Sequence, residues 1–435
     1  MHKIKSITIT GFRRQETPIK LDLDEEANFL IGRNGTGKTS LINLINACLT
    51  IDQEVLTDTI FQSVIVRFKM AGKTTVPILE VEKLDYKIAG AYVRYSYKDS
   101  ASAKPEVFEL SFGRRRMPVR TPDGQRRIVT RSDDIRALKA KLEDTFSHTW
   151  LSLHRGHELF EGPPFAEYEY EYEYERPEIL PGVDRKLADV LQNLRQYFFE
   201  LDRKVSDLTS QFQKDWFLSF LATEASDADI ISTEIDFEEE KNAIIAIFER
   251  FEVPAEAYEE QLENHVELGV TALETFRKRG GFPISKFFNL YDVVRLHRLV
   301  EQWQQLQERQ KEILEPKIDF INIASGMLYK KSIAFNQANE IAINADDRLK
   351  IPVEKLSSGE KQLIIFLAET LLQEKQPFIF LADEPELSLH VEWQEQLVSN
   401  LLKVNPNAQV LFATHSPDIV GEYGDHIFSM ERLVE

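Results

Sequence analysis

The eight residues Gly32-Arg33-Asn34-Gly35-Thr36-Gly37-Lys38-Thr39 constrain the fold more than any other feature of this chain. They follow an apolar run, Ala27-Asn28-Phe29-Leu30-Ile31, and precede Leu41, Ile42, Leu44 and Ile45 at helical spacing, so the stretch reads as strand, glycine loop and helix. Such a loop curls because glycine tolerates conformations that other residues avoid, and its successive N–H groups then converge on one anion. The dipole of the following helix adds to that field. The pattern is a Walker A loop. It assigns phosphate contact to Gly32, Arg33, Asn34, Gly35, Thr36, Gly37, Lys38, Thr39 and Ser40, with Lys38 reaching the β and γ phosphates and Thr39 offering its hydroxyl to Mg²⁺.

A second strand-like run, Phe378-Ile379-Phe380-Leu381-Ala382, ends in Asp383-Glu384. Two carboxylates at the end of a buried strand divide the labour of phosphoryl transfer: Asp383 holds Mg²⁺ and Glu384 faces the attacking water. Upstream of that strand, Leu356-Ser357-Ser358-Gly359-Glu360-Lys361-Gln362 opens a helix. The Ser357-to-Glu360 spacing equally suits an ordinary helix cap. A further strand, Gln409–Thr414, leads into His415-Ser416-Pro417.

Taken in order, these motifs resemble those of the ATP-binding-cassette ATPases. Leu-Ser-Ser-Gly-Glu is similar to their signature sequence, Glu384-Pro385-Glu386-Leu387-Ser388-Leu389-His390 to their D-loop, and His415 stands at the switch-histidine position. Ile4-Lys5-Ser6-Ile7-Thr8-Ile9, the following Gly11-Phe12-Arg13-Arg14 and the Gly-Glu-Lys-Gln signature tail resemble the branch that contains SMC, RecF and OLD-type proteins. The resemblance covers residues 1–155 and 320–435. It implies an α/β, ABC-type head that binds ATP and Mg²⁺ and hydrolyses ATP, with Lys38, Glu384 and His415 catalytic and Thr39 and Asp383 at the metal. It further implies that Ser357, Ser358, Gly359 and Glu360 complete the site of a second chain, so that the heads form at least a dimer and in some arrangements a higher oligomer. Arg13 resembles the nucleotide-contacting arginine of relatives, and Gln62 is a candidate for the Q-loop.

Three segments follow: a first half of the head over 1–160, an acidic helical insert over 161–317, and a second half of the head over 318–435. In the insert, Leu187, Leu191, Leu194, Phe198, Leu201, Val205, Leu208 and Phe212 alternate at spacings of four and three, a heptad seam. Residues 293–315 offer a similar stripe, and the α/β pattern is expected to resume after Pro316. An all-helical insert around a short antiparallel coiled coil is the consequence. Ahead of it lie a strict Glu-Tyr alternation from Glu167 to Glu175, read as a spacer, and seven arginines over 114–131 around Pro122-Asp123-Gly124. The latter reads as a basic β-hairpin, either simply solvated or a contact for DNA or an acidic protein.

Charge separates these segments. The net charge is −19, and residues 161–280 alone hold 29 acidic and 12 basic residues, leaving the rest of the chain close to neutral. An acidic arm repels DNA and suits a basic protein partner. A single cysteine, Cys48, the absence of an apolar run near 18 residues and the lack of a leader predict a cytoplasmic protein without a membrane partner.

OLD-type proteins carry a Toprim nuclease after the ATPase, and the chain ends 20 residues after His415, which predicts no nuclease of its own. A head with a short helical insert resembles the ATPase subunits of bacterial antiphage systems, of the PARIS type with a Toprim nuclease or the Septu type with an HNH nuclease. The expected partners are a second copy, a separate nuclease effector with Toprim favoured, and a phage trigger protein. The alternatives are a RecF- or SMC-like repair or chromosome-maintenance ATPase on duplex DNA, and a housekeeping ATPase.

Overall fold

The computed structural model describes residues 2–69, 76–84, 91–112, 119–120, 126–127, 131–152, 182–221, 236–279, 284–346 and 349–434. The chain divides into two compact units, Met1–Arg195 with Asp319–Glu435, and Gln196–Ile318. No helix among the described residues is long and apolar enough to cross a membrane.

The first unit is the head, and it holds two large sheets. Strands β1 (Lys3–Thr10), β2 (Ile19–Asp22), β4 (Ser63–Lys69), β5 (Ile78–Leu84), β6 (Ala91–Lys98) and β7 (Glu106–Phe112) form an antiparallel sheet in the order β2-β1-β4-β5-β6-β7. Val64, Val66 and Phe68 alternate inward along β4, as expected of a sheet with one covered face. Strands β3 (Ala27–Ile31), β10 (His148–Ser152), β14 (Phe378–Asp383), β15 (Ala408–Ala413) and β16 (Ile427–Ser429) form a parallel sheet in the order β10-β14-β15-β3-β16. Its central strands are apolar on both faces because both faces are covered.

The helix Lys38–Thr50 lies between the sheets. Leu41, Ile42, Leu44, Ile45, Ala47 and Cys48 are fully buried in one cluster with Ile7 and Val66 of the antiparallel sheet and Ile379, Leu381 and Leu411 of the parallel one. The helix carries a broad apolar face, covered by both sheets, while Thr39, Ser40, Asn43 and Thr50 stay partly exposed. On the opposite face of the parallel sheet lies the helix Ser358–Leu371, whose Phe366 meets Phe380 edge-on at 5.7 Å. Phe378, Phe380 and Phe412 share that face. A small sheet of β11 (Lys331–Phe335), β12 (Ile341–Ala345) and β13 (Lys350–Ile351) adjoins the second half of the head.

The second unit is helical. The later part of the helix Gly182–Leu221 runs antiparallel to the helix Ile284–Met327: Gln310 Nε2 donates to Thr209 Oγ1 at 2.9 Å, Phe212 meets Trp303 at 5.7 Å, and Lys317 lies 3.6 Å from Asp202. Among the described residues, Phe237–Arg250 and Glu259–Arg279 also belong to the unit, with Phe248 stacked on Tyr258 at 4.5 Å beside buried Ile244, Leu262 and Val300.

Three expectations change. The helical unit begins at Gln196 rather than 161, because the first turns of the helix Gly182–Leu221 belong to the head: Asp184 pairs with Lys361 and Lys186 with Glu369, both at 2.5 Å, and Arg195 with Glu340 at 3.3 Å. The α/β pattern does not resume at Pro316, because the helix passes through it to Met327. A proline inside a helix costs about 3 kcal/mol, and burial of Phe320 and Ala324 in the continuation offsets that cost. Strands β10, β11 and β16 lie outside the expected elements. Of the arginine-rich segment, β8 (Val119–Arg120) and β9 (Arg126–Arg127) pair as a two-residue antiparallel ladder. Its turn, and the Glu-Tyr stretch, lie outside the described residues.

Candidate active site

Parallel pairing gathers the motifs at one edge of the sheet. Asp383 of β14 aligns with Ala413 of β15, which aligns with Leu30 of β3. The loops leaving β3, β14 and β15 therefore emerge side by side at the C-terminal ends of their strands, the edge where open α/β sheets bind ligands. That register brings Gly32–Thr39, Asp383-Glu384 and His415 together from three distant parts of the chain.

Within the loop, Gly35 and Gly37 adopt φ of 85° and 101°, conformations that disfavour any side chain. A Cβ on Gly37 would also lie 2.8 Å from Arg13 Nη1. Lys38 opens the helix and is only 4% exposed. Its ammonium donates to Gly32 O at 2.8 Å and Arg33 O at 3.3 Å, and lies 2.6 Å from His415 Nε2. An ammonium has no lone pair, so Nε2 is the acceptor. Burial pulls the Lys38 pKa down, opposed by Glu384, Asp383, Glu431 and Glu386.

Thr39 Oγ1 donates to Asp383 Oδ1 at 3.2 Å. Glu384 sits just past the strand in a left-handed conformation, φ 49°, with its N–H on Ala413 O at 2.8 Å and its Oε1 3.7 Å from His415 Nε2. Non-glycine residues in that region carry strain, which clusters at functional sites. Arg13, also at positive φ, crosses the loop and donates to Gly35 O at 3.3 Å and Ser40 Oγ at 3.0 Å. Thr36 Oγ1 closes the turn on Arg33 O at 2.9 Å, and Asn34 is exposed. The Gln62 side chain lies against Gly11, where a Cβ would approach it to 2.4 Å.

The signature segment is a separate place. Ser357 caps the helix Ser358–Leu371 in a capping box: its hydroxyl accepts the Glu360 N–H at 3.3 Å and donates to Glu360 Oε2 at 2.9 Å, while Ser357 N donates to that same oxygen at 2.9 Å. Lys331 pairs with Glu360 at 2.5 Å. Burial raises the Glu360 pKa, but Lys331 and Ser357 outweigh it and leave the carboxyl below its ordinary range. Gly359 is fixed by space, since a Cβ would lie 2.1 Å from Ser388 O. Ser357 and Ser358 face solvent. Among the described residues, no hydrogen bond or ion pair joins this segment to the Gly32–Thr39 loop.

Two further carboxylates support the site, Glu431, which belongs to none of the motifs, and Glu386, which lies in the D-loop-like segment with no role assigned by the sequence. Glu431 Oε1 accepts the Arg33 N–H at 2.7 Å and its other oxygen accepts from Ser429 at 2.9 Å. The Arg33 amide holds the Glu431 carboxyl below its usual pKa. Glu386 Oε1 accepts the His415 N–H at 2.7 Å. No local spacing announces Glu431, which lies far along the chain from the loop it holds.

The donor set fits ATP with Mg²⁺: an inward-facing glycine loop with a buried lysine for phosphates, and a hydroxyl and carboxylate in contact, the hard oxygen donors that Mg²⁺ takes alongside phosphate and water. Among the described residues no group of three or more His, Cys, Asp or Glu could hold a metal ion. Fold and site thus define an ATPase head of the ABC type with a helical insertion. The chain belongs to the family described as "AAA domain, putative AbiEii toxin, Type IV TA system", whose model matches residues 27–421. Similar solved structures include the Smc head domain with an extended coiled coil bound to the C-terminal domain of ScpA, from Pyrococcus furiosus, at 13% identity over 97% of this chain and 91% of that one, with a TM-score of 0.41. The SMC head domain from Thermotoga maritima is similar at 12% identity over 98% and 94%, with a TM-score of 0.37.

Proposed function

We propose that the chain hydrolyses Mg-ATP in sites shared between two copies, and that the cycle controls a separate nuclease effector in antiphage defence. The observation that carries the reading is the separation of two half-sites: Lys38, Thr39, Asp383, Glu384 and His415 meet at one sheet edge, while Ser357 and Ser358 stand exposed at another helix start. In this reading the loop amides and Lys38 hold the phosphates, Thr39 and Asp383 hold Mg²⁺, and Glu384 takes a proton from the attacking water. His415 fixes the water and γ-phosphate side of the site. Mg²⁺ when bound would neutralise charge on the phosphate oxygens. Ser357 and Gly359 of the second copy close over the γ-phosphate.

Support for the defence role comes from the family's description as a putative AbiEii toxin of a type IV toxin–antitoxin system, and from an insert whose acidity suits a basic protein rather than DNA. Glu384→Gln should lower turnover by at least about 100-fold while ATP stays bound and the dimer is stabilised. Unchanged hydrolysis would remove Glu384 as the base. Capture of the chain from cells that carry its neighbouring genes should recover a nuclease. Recovery of DNA with no nuclease would instead favour a repair ATPase.

A further inference from the structure

We propose that Glu386 is a positioning residue for His415, acting through the backbone of the switch turn rather than on the nucleotide. The proposal rests on the reading of this edge as the hydrolytic site. Three observations lead to it. The Glu386 carboxylate accepts the His415 N–H at 2.7 Å, a charge-assisted geometry that is stronger than a neutral pair. Its second oxygen is buried with no hydrogen-bond partner among the described residues. A buried acceptor is costly to leave unmade, so a glutamate is hard to explain here as packing alone.

The turn that carries Glu386 is itself held on several sides. Leu387 N–H bonds to Glu384 O at 3.1 Å and Leu389 N–H to Glu386 O at 2.9 Å. Gln362 of the signature helix donates to Pro385 O at 2.8 Å. From the helix Val391–Val404, Gln394 Nε2 donates to Leu389 O at 2.9 Å, and its Oε1 accepts from Ser416 Oγ at 2.6 Å. Residues 415 and 416 are thus clamped by neighbouring side chains, Glu386 on the amide of one and Gln394 on the hydroxyl of the other. With the amide of 415 fixed, the imidazole swings only about its own side-chain bonds, and its Nε2 stays between Lys38 at 2.6 Å and Glu384 at 3.7 Å. Glu386 also makes the last link of a bonded chain from Gln362 of the signature helix to the histidine.

The test uses the full chain with Glu386→Ala, Glu386→Gln, His415→Ala and the double alanine variant. Steady-state hydrolysis, affinity for a fluorescent ATP analogue and exchange of the His415 amide with deuterium are measured for each. Glu386→Ala should lower kcat at least tenfold, leave nucleotide affinity within twofold, and speed exchange at His415 at least tenfold. Glu386→Gln should return kcat to within threefold of the parent, because its amide oxygen still accepts the same N–H, a rescue that misfolding would not permit. The double variant should be no slower than His415→Ala. Unchanged kcat in Glu386→Ala, unchanged exchange at His415, or a double variant showing the full product of the two single losses would each overturn the proposal. A parent chain without any hydrolysis counts against the ATPase reading itself, and exchange at His415 then still decides whether Glu386 holds the turn.

Discussion

Two helices of the head begin at the glycine loop and at the signature-like segment, and they begin differently. The helix Lys38–Thr50 starts after Gly37 with no side-chain cap, whereas Ser358–Leu371 starts under a closed capping box of Ser357 and Glu360. A helix start leaves up to four N–H groups without intrahelical partners. Among the described residues no side chain caps the Lys38 start, which in the proposed reading leaves its N–H groups for an anion. At Ser357 the cap takes one and the serine hydroxyl already gives its hydrogen to Glu360. In the proposed reading, the loop half-site is open in the isolated chain, and the signature half-site keeps its own cap until a partner's phosphate competes for it.

The largest effect that probes this contrast is at the open end. Lys38→Ala should weaken binding of a fluorescent ATP analogue by about 100-fold or more, and near-parental affinity would mean that the loop amides suffice. Ser357→Ala comes next. It should cost about 1 kcal/mol of stability as a lost cap and lower turnover about tenfold, a single lost transition-state contact worth roughly 1.4 kcal/mol, with no change in nucleotide affinity of the lone chain. Mixing Lys38→Ala chains with Ser357→Ala chains then rebuilds one intact composite site and should recover activity. If mixing restores nothing, the serine is a cap only and the contrast collapses.

Glu360→Ala is a smaller perturbation, read in stability. Losing the box and the Lys331 pair should cost about 1–2 kcal/mol at neutral pH. Because the folded-state pKa of Glu360 lies below its ordinary value of 4.5, its contribution is full above that value and is lost as pH falls through the folded one. Denaturation curves of parent and variant should therefore converge in acid. The smallest effect expected is for Glu431→Gln, which keeps an acceptor on Arg33 N–H but removes the charge. KM for ATP should rise a few-fold with kcat unchanged; a fall in kcat would place Glu431 in the chemistry rather than at the loop.

Much of the site was legible because its parts are local. The glycine loop, the acid pair after Phe378–Ala382 and the cap at Ser357 are each defined within eight residues, and the turn chemistry that makes them work needs no distant partner. The heptad stripe from Leu187 also announced a long helix, though its first turns pair with Lys361 and Glu369 of the head, which no periodicity reveals. Helix continuation through Pro316 was hidden for the same reason: local propensity stops there, and burial of Phe320 and Ala324 overrides it. β10 is a five-residue strand that, among the described residues, pairs with β14, more than two hundred residues later.

What the sequence by itself determined is the set of groups able to handle a nucleotide: inward amides, one lysine, a hydroxyl, two carboxylates and a histidine. The tertiary structure decided which of them meet. Parallel pairing of β3, β15 and β14 sets Leu30, Ala413 and Asp383 in one row, so that three loops share an edge. It also chose the supports, Glu431 on the Arg33 amide and Glu386 on the His415 amide. Backbone N–H groups are present at every residue but proline, and only the fold specifies which distant carboxylate they receive.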